Sequence, residues 1–116
     1  MDSSQEMTRG AIELVVLQTL SNYGDNYGYE LIKIIAQKSE SIFEFKEGTL
    51  YPLLYRLEEK KLVKSYRQVA ESGKERRFYH ITAAGEKKLA SKKSEFETFL
   101  AGMDAILKPN HLSLER

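Results

Sequence analysis

The sequence predicts a mainly α-helical chain carrying a small β-hairpin, and three observations predict it. Apolar residues recur at helical spacing through three successive segments. The period then switches from 3.6 to 2 after Leu62, and a long helical pattern closes the chain after Thr82. With 116 residues, 41% hydrophobic and 30% charged, the chain can build one modest core and lacks the composition of a disordered segment.

The first helix is expected from Thr8 to Leu20, with Thr8 as candidate N-cap and Leu14, Val15, Val16, Leu17 and Leu20 apolar nearly all round. A helix without a clean polar face is usually buried on two sides. Met1 to Glu6 is polar and expected to fray. "NYGDNYG", Asn22 to Gly28, clusters turn-forming residues. A second helix is expected from Tyr27 to Lys38, with Leu31, Ile34 and Ile35 on one face. "SIFEF", Ser41 to Phe45, reads as a short strand or an extended connection.

The third helix lies in "EGTLYPLLYRLEEKKLV", Glu47 to Val63. On a wheel of 100° per residue, Leu50, Leu53, Leu54 and Leu57 form the core face. Gly48, Thr49, Pro52, Tyr55, Arg56 and Glu59 fall opposite or toward its flanks, with Tyr51 at the boundary. Gly, Pro and Tyr are poor choices for a solvated helix, so propensity is sacrificed for surface, as expected where a surface has a function. Small residues let a backbone approach phosphate, a hydroxyl can donate to it, and Arg reaches guanine O6/N7 or phosphate. Pro52 is tolerable only near the first turn; deeper in, it should kink the helix. The alternative is that Tyr51 and Tyr55 are half-buried packing residues and Arg56 a solvated charge.

"VKSYRQVAE" and "ERRFYHIT" are strand-like segments joined across "ESGK", where Gly73 supplies the permissive turn residue. Lys74, Arg76 and Arg77 make the tip basic. The final helix runs from about Ala83 to Leu107, with Thr82 as candidate N-cap and Pro109 beyond its end. Three helices, a two-stranded wing and a long helix give the layout of a winged helix-turn-helix whose third helix would be the recognition helix. The expected division is residues 1–82 for that domain, 83–108 for a dimerisation helix and 109–116 for a tail.

Charge is unevenly spread. Between Lys46 and Lys88 stand 11 Lys/Arg against 6 Asp/Glu, a local net of +5 in a chain of net +1. That is the footprint of an anionic partner or a solvated basic face. In the last helix Leu89, Lys93, Phe96, Leu100, Met103 and Leu107 recur at spacings of four and three, an a/d seam widened by Phe99 and Ile106. A second copy would cover it; the other possibility is that the helix folds back on its own domain.

The chain has no cysteine, which excludes disulfides and thiolate sites and fits a reducing cytoplasm. The run Ile12 to Leu17 is short and interrupted by Glu13, so neither a signal peptide nor a membrane partner is expected. His80 and His111 are the two histidines, with no metal-ligand spacing and no Gly-rich phosphate loop; no metal, no cofactor and no enzymatic activity are expected.

"GTLYPLLYRLEEKKLV", with the basic hairpin ending in "FYHITAAGEKKL" and the earlier "GDNYGYEL", closely resembles the PadR-like family of bacterial transcriptional regulators over about residues 7–108. The resemblance implies a cytoplasmic homodimeric winged-helix repressor that binds a palindromic operator in double-stranded DNA and is released by a small aromatic effector. It puts Thr49, Tyr51, Pro52 and Arg56 at the DNA groove and Lys74 with Arg76 at the wing tip. Tyr29 and Lys33 are candidate phosphate contacts. The single long last helix is like the short subfamily, in which it serves dimerisation. Leu89, Phe96, Leu100, Met103 and Leu107 are then the interface. Phe96, Phe99 and Met103 are either candidates for an effector slot or simply packing residues of the seam. A winged-helix module that binds protein without specific DNA binding is the alternative function.

Overall fold

The structure is a computed structural model that describes residues 3–108, with side chains from Thr8 onward; the expected tail, with Pro109 and His111, lies outside the described residues. Its elements run α1 (Ser3–Tyr23), β1 (Asn26–Tyr27), α2 (Gly28–Lys38), α3 (Glu47–Glu59), β2 (Val63–Val69), β3 (Glu75–Ile81) and α4 (Ala83–Leu107). The three strands form one antiparallel sheet in the order β1-β3-β2. The fold is mainly helical with a small winged sheet, as the periodicity predicts.

The N-terminus departs from expectation. α1 starts at Ser3, so Thr8 lies inside the helix and is not its N-cap. At the other end Gly24, at φ 82°, donates its N–H to the Leu20 carbonyl, the usual glycine stop. Val16, Leu17 and Leu20 are fully buried, while Ile12, Leu14 and Val15 pack at the core's margin.

α2 and α3 both stop without glycine. The Ser41 N–H reaches the Ala36 carbonyl at 2.7 Å and the Leu62 N–H reaches the Leu57 carbonyl at 2.9 Å. Glu40, Ser41 and Lys61 take left-handed conformations to allow this. Each such non-glycine residue costs about 1–2 kcal/mol; after α3 the gain is that Leu62 is turned inward into the core. The "SIFEF" segment is not a strand: Ser41 and Ile42 complete the turn that ends α2, residues 43–46 lead into α3 without regular structure, and Ile42 is 77% exposed.

Leu50, Leu53, Leu54 and Leu57 of α3 are all buried, against Leu17, Leu20, Leu31 and Ile35 of the first two helices. The β2–β3 register runs from Val63↔Ile81 to Val69↔Glu75. Its turn is closed by Ala70 N–H to the Lys74 carbonyl and Gly73 N–H to the Ala70 carbonyl, with Gly73 at φ 88°. The short β1 pairs Asn26↔Tyr79 and Tyr27↔Phe78, so part of the expected turn cluster is a strand that joins the start of α2 to the wing.

Thr82 caps α4, accepting from the Gly85 N–H at 3.0 Å while its hydroxyl donates to the Lys61 carbonyl at 2.8 Å. Gly85 is buried where a Cβ would collide with the Leu62 carbonyl oxygen, so only glycine lets α4 approach this closely. Leu89 is 5% exposed and belongs to the chain's own core. That corrects its expected place in a dimer seam: the first two turns of α4 are spent on α1 and β3. Lys92 and Phe96 still face α1, and beyond them Phe99, Leu100, Met103, Ile106 and Leu107 are exposed. The fold-back alternative therefore holds for the first part of the helix, and the apolar residues of its second part are exposed. Among the described residues no helix is long and apolar enough to cross a membrane.

Candidate nucleic-acid interface

With its four leucines turned inward, α3 presents Gly48, Thr49, Tyr51, Pro52 and Tyr55 outward. Pro52 is the sixth residue of the helix rather than one of its first turn, yet α3 runs unbroken through it. Without an N–H, Pro52 cannot satisfy the Gly48 carbonyl four residues earlier. The start of α3 is held instead at Lys46, whose carbonyl accepts from both Thr49 and Leu50 at 3.0 Å. The helix nevertheless continues past Pro52 to Glu59.

Tyr51 sits at the boundary of the helix, as its wheel position predicts. Its ring lies over Gly28 at the start of α2, where a Cβ would come within 2.6 Å of Cε1 and 2.7 Å of the hydroxyl. Burial is the main cause, with the Glu47 carboxylate adding to it and Arg76 opposing it, that the Tyr51 hydroxyl titrates above its ordinary range. It therefore stays a proton donor. Around it the start of α2 and the wing enclose a notch of about 260 Å³ lined by Tyr27, Tyr29, Arg67, Arg76 and Arg77 among others.

The cations of this face are not equivalent. Arg76 stacks over the Tyr27 ring at 5.7 Å, and its Nε is buried without a hydrogen-bond partner among the described residues. It belongs to the notch beside Tyr51, not to the wing tip, where the exposed Lys74 stands without it. Arg67 is paired with Glu75 at 2.9 Å. Arg77 donates to Ser65 Oγ at 3.0 Å, and Ser65 in turn donates through both N–H and Oγ to Glu58. That chain of bonds fastens the end of α3 to the wing. Arg56 is half-buried with Nε enclosed, so it does not project freely as the wheel suggests. Lys33 lies on exposed α2 surface, 3.5 Å from Glu30 and 5.4 Å above the Tyr29 ring.

The structure thus gathers Tyr29, Tyr51 and Arg76 into one notch and leaves Thr49 and Pro52 on the adjoining helix face, with Lys33 and Lys74 at the periphery. Tyr27, Arg67 and Arg77 join the notch without having been singled out for it. The signal for Tyr27 is its pairing with Phe78, visible only once β1 is recognised as a strand. At the base of the wing, Asp25 accepts from Tyr66 at 2.7 Å and contacts His80 Nδ1 at 2.9 Å, so His80 braces the loop before β1.

On the opposite side, two open apolar grooves flank Phe96. One, of about 370 Å³, lies between α1 and α4 and is lined by Ala11, Leu14, Lys92, Phe96 and Phe99 among others. The other, of about 380 Å³, reaches from Leu14 and Val15 to Ile35, Phe43 and Lys93. Phe96 and Phe99 lie 6.0 Å apart and nearly parallel. Met103 lines neither groove; it shares a further shallow surface with Phe99, Leu100 and Leu107, so Phe99 borders both.

Comparison with known proteins bears on this geometry. A model of the transcriptional regulator PadR-like family matches residues 16–91. A transcriptional regulator from Clostridium thermocellum is 35% identical and superimposes with a TM-score of 0.79, over 89% of this chain and 99% of its own. A PadR family transcription regulator from Clostridium difficile is 34% identical, with a TM-score of 0.71 over 84% of this chain and 98% of its own. A PadR-like transcriptional regulator from Bacillus cereus is 28% identical, with a TM-score of 0.76 over 90% and 99%.

Proposed function

The chain belongs to the PadR-like family of transcriptional regulators, and from that premise we propose that it binds a palindromic operator in duplex DNA as a homodimeric repressor. The observation that carries the reading is the outward face of α3, exposed at Thr49, Pro52 and Tyr55 with Tyr51 half-exposed beside them. That face enters the major groove. The notch behind it seats a backbone phosphate, with the Tyr51 hydroxyl and the Arg76 guanidinium as donors and the start of α2 contributing its positive dipole end. Tyr29 and Lys33 meet the same strand further along, and Lys74 follows the backbone from the wing. Arg56 acts from the flank of α3.

The homodimer rests on the far half of α4. Leu100, Met103 and Leu107 form an apolar seam that the chain itself leaves uncovered, and the half-buried Phe96 stands at its start. Pairing two copies doubles the phosphate contacts and fixes half-sites about one helical turn apart or a multiple of it. Release by a small aromatic effector is supported by the groove between α1 and α4, where Phe96 and Phe99 offer two ring faces. Met103, two turns from Phe96, contributes only once a second copy completes the wall.

The test is fluorescence anisotropy with labelled duplex selected from a randomised pool, titrated across salt. Affinity should fall steeply with ionic strength, and Arg76→Ala should weaken it and flatten the slope by about one counterion per half-site. Absence of any binding above weak background at low salt would favour a protein-binding module instead.

A further inference from the structure

Glu13 is 3% exposed, one turn before the fully buried Val16 and Leu17 of α1. An ionised carboxylate in such a place needs partners, and both of its partners come from other elements. Oε1 lies 3.1 Å from Nζ of Lys92 on α4. Oε2 lies 3.6 Å from Nζ of Lys60, the residue that caps the end of α3. Oε2 is buried without a hydrogen bond among the described residues, so this longer charge contact is what compensates it. Lys60 follows the proposed recognition helix directly, and Lys92 stands one turn before Phe96. One buried charge therefore spans the DNA-facing element and the helix that would join two copies.

We propose that Glu13 is a positioning residue for operator recognition, holding α3 at a fixed angle to α4 through Lys60 and Lys92. This rests on the DNA-binding reading above. A carboxylate that only filled space would be served as well by an apolar group. A carboxylate with cations on two elements restrains both, and its removal frees each domain to turn against the dimer axis. Contacts within one half-site are then kept, and the relation between the two half-sites is lost.

The experiment compares the parent chain with Glu13→Gln on three duplexes: the selected palindrome, a single half-site, and palindromes with the spacer changed by one base pair. Light scattering and circular dichroism are recorded on each protein. The expected result is a folded dimer whose half-site affinity stays within about twofold of the parent. Its palindrome affinity should fall about tenfold, in the range by which networks of packed and charged groups couple sites, and its penalty for the altered spacer should shrink. If Glu13→Gln fails to fold, Lys60→Met replaces it. That side chain is largely exposed, and the same split between half-site and palindrome is expected. Equal losses on both duplexes, no loss on either, or conversion to monomers would overturn the proposal. A parent chain that retains no duplex at all removes the DNA-binding reading first, and this inference with it.

Discussion

Replacing Gly28 by Ala separates the notch from the core. The new Cβ would lie 2.6 Å from Tyr51 Cε1 and 2.7 Å from its hydroxyl. To regain ordinary contact near 3.5–4.0 Å the ring has to retreat by roughly 1 Å. The ring is the free end of a half-exposed side chain, so it yields by leaving its rotamer minimum at about 0.5–1.5 kcal/mol. Against this, Ala gains part of the roughly 1 kcal/mol by which it exceeds Gly in a helix interior, residue 28 being the first of α2. Stability should therefore change by less than about 1 kcal/mol in either direction. The hydroxyl, however, is carried off the phosphate it is proposed to hold. Loss of one such bond is worth about 1.4 kcal/mol, a tenfold rise in Kd for a half-site. Thermal melting and anisotropy on a half-site duplex measure the two effects separately. A folded Gly28→Ala protein that binds within twofold of the parent would refute the role given to the Tyr51 hydroxyl.

Other substitutions probe the remaining elements. Gly85→Ala drives a Cβ into the Leu62 carbonyl and close to Ile81, neither of which can move cheaply. It should cost about 2 kcal/mol and lower Tm by roughly 10 °C, and an unchanged melt would contradict the close approach of α4. Tyr79 is buried, and burial pushes its hydroxyl above the ordinary range, with Arg77 opposing. The folded chain thus keeps a proton that the unfolded chain releases near about pH 10, so stability is complete below that value and declines as pH rises past it. Urea melts should show the decline, and Tyr79→Phe should lessen it. Leu100→Asp places a charge in the uncovered seam of α4; light scattering should report monomers, and a variant that remains dimeric would remove that seam from the interface.

Most of the architecture was legible because its signals are local. Leu50, Leu53, Leu54 and Leu57 repeat at helical spacing, Gly73 sits where a hairpin must turn, and Thr82 stands where α4 needs a cap; all three appear as expected. What escaped depends on partners distant in sequence. β1 is two residues long and exists only because β3 is there to pair with it. Leu89 fits a coiled-coil seam by spacing, and only the contact of α4 with α1 shows that its own core uses it. The charge of Glu13 looked like an interruption of an apolar run until Lys60 and Lys92 were seen to converge on it. At the site, residue type identified Tyr51 and Arg76 but not their shared notch. Arg56 looked free on a wheel, because a wheel knows nothing of the side chains packed beside it.

The closure of α4 onto Leu62 at Gly85 makes the helix a lever with a short fixed end. Between Leu89 and Leu107 it extends for about 27 Å at 1.5 Å per residue. A tilt of about 7° at Leu89 would swing the tip through roughly 3 Å, close to the rise of one base pair along duplex DNA. In the proposed homodimer, a methyl group at residue 85, which touches none of the DNA-facing residues, would be enough to put the two domains out of phase with one another.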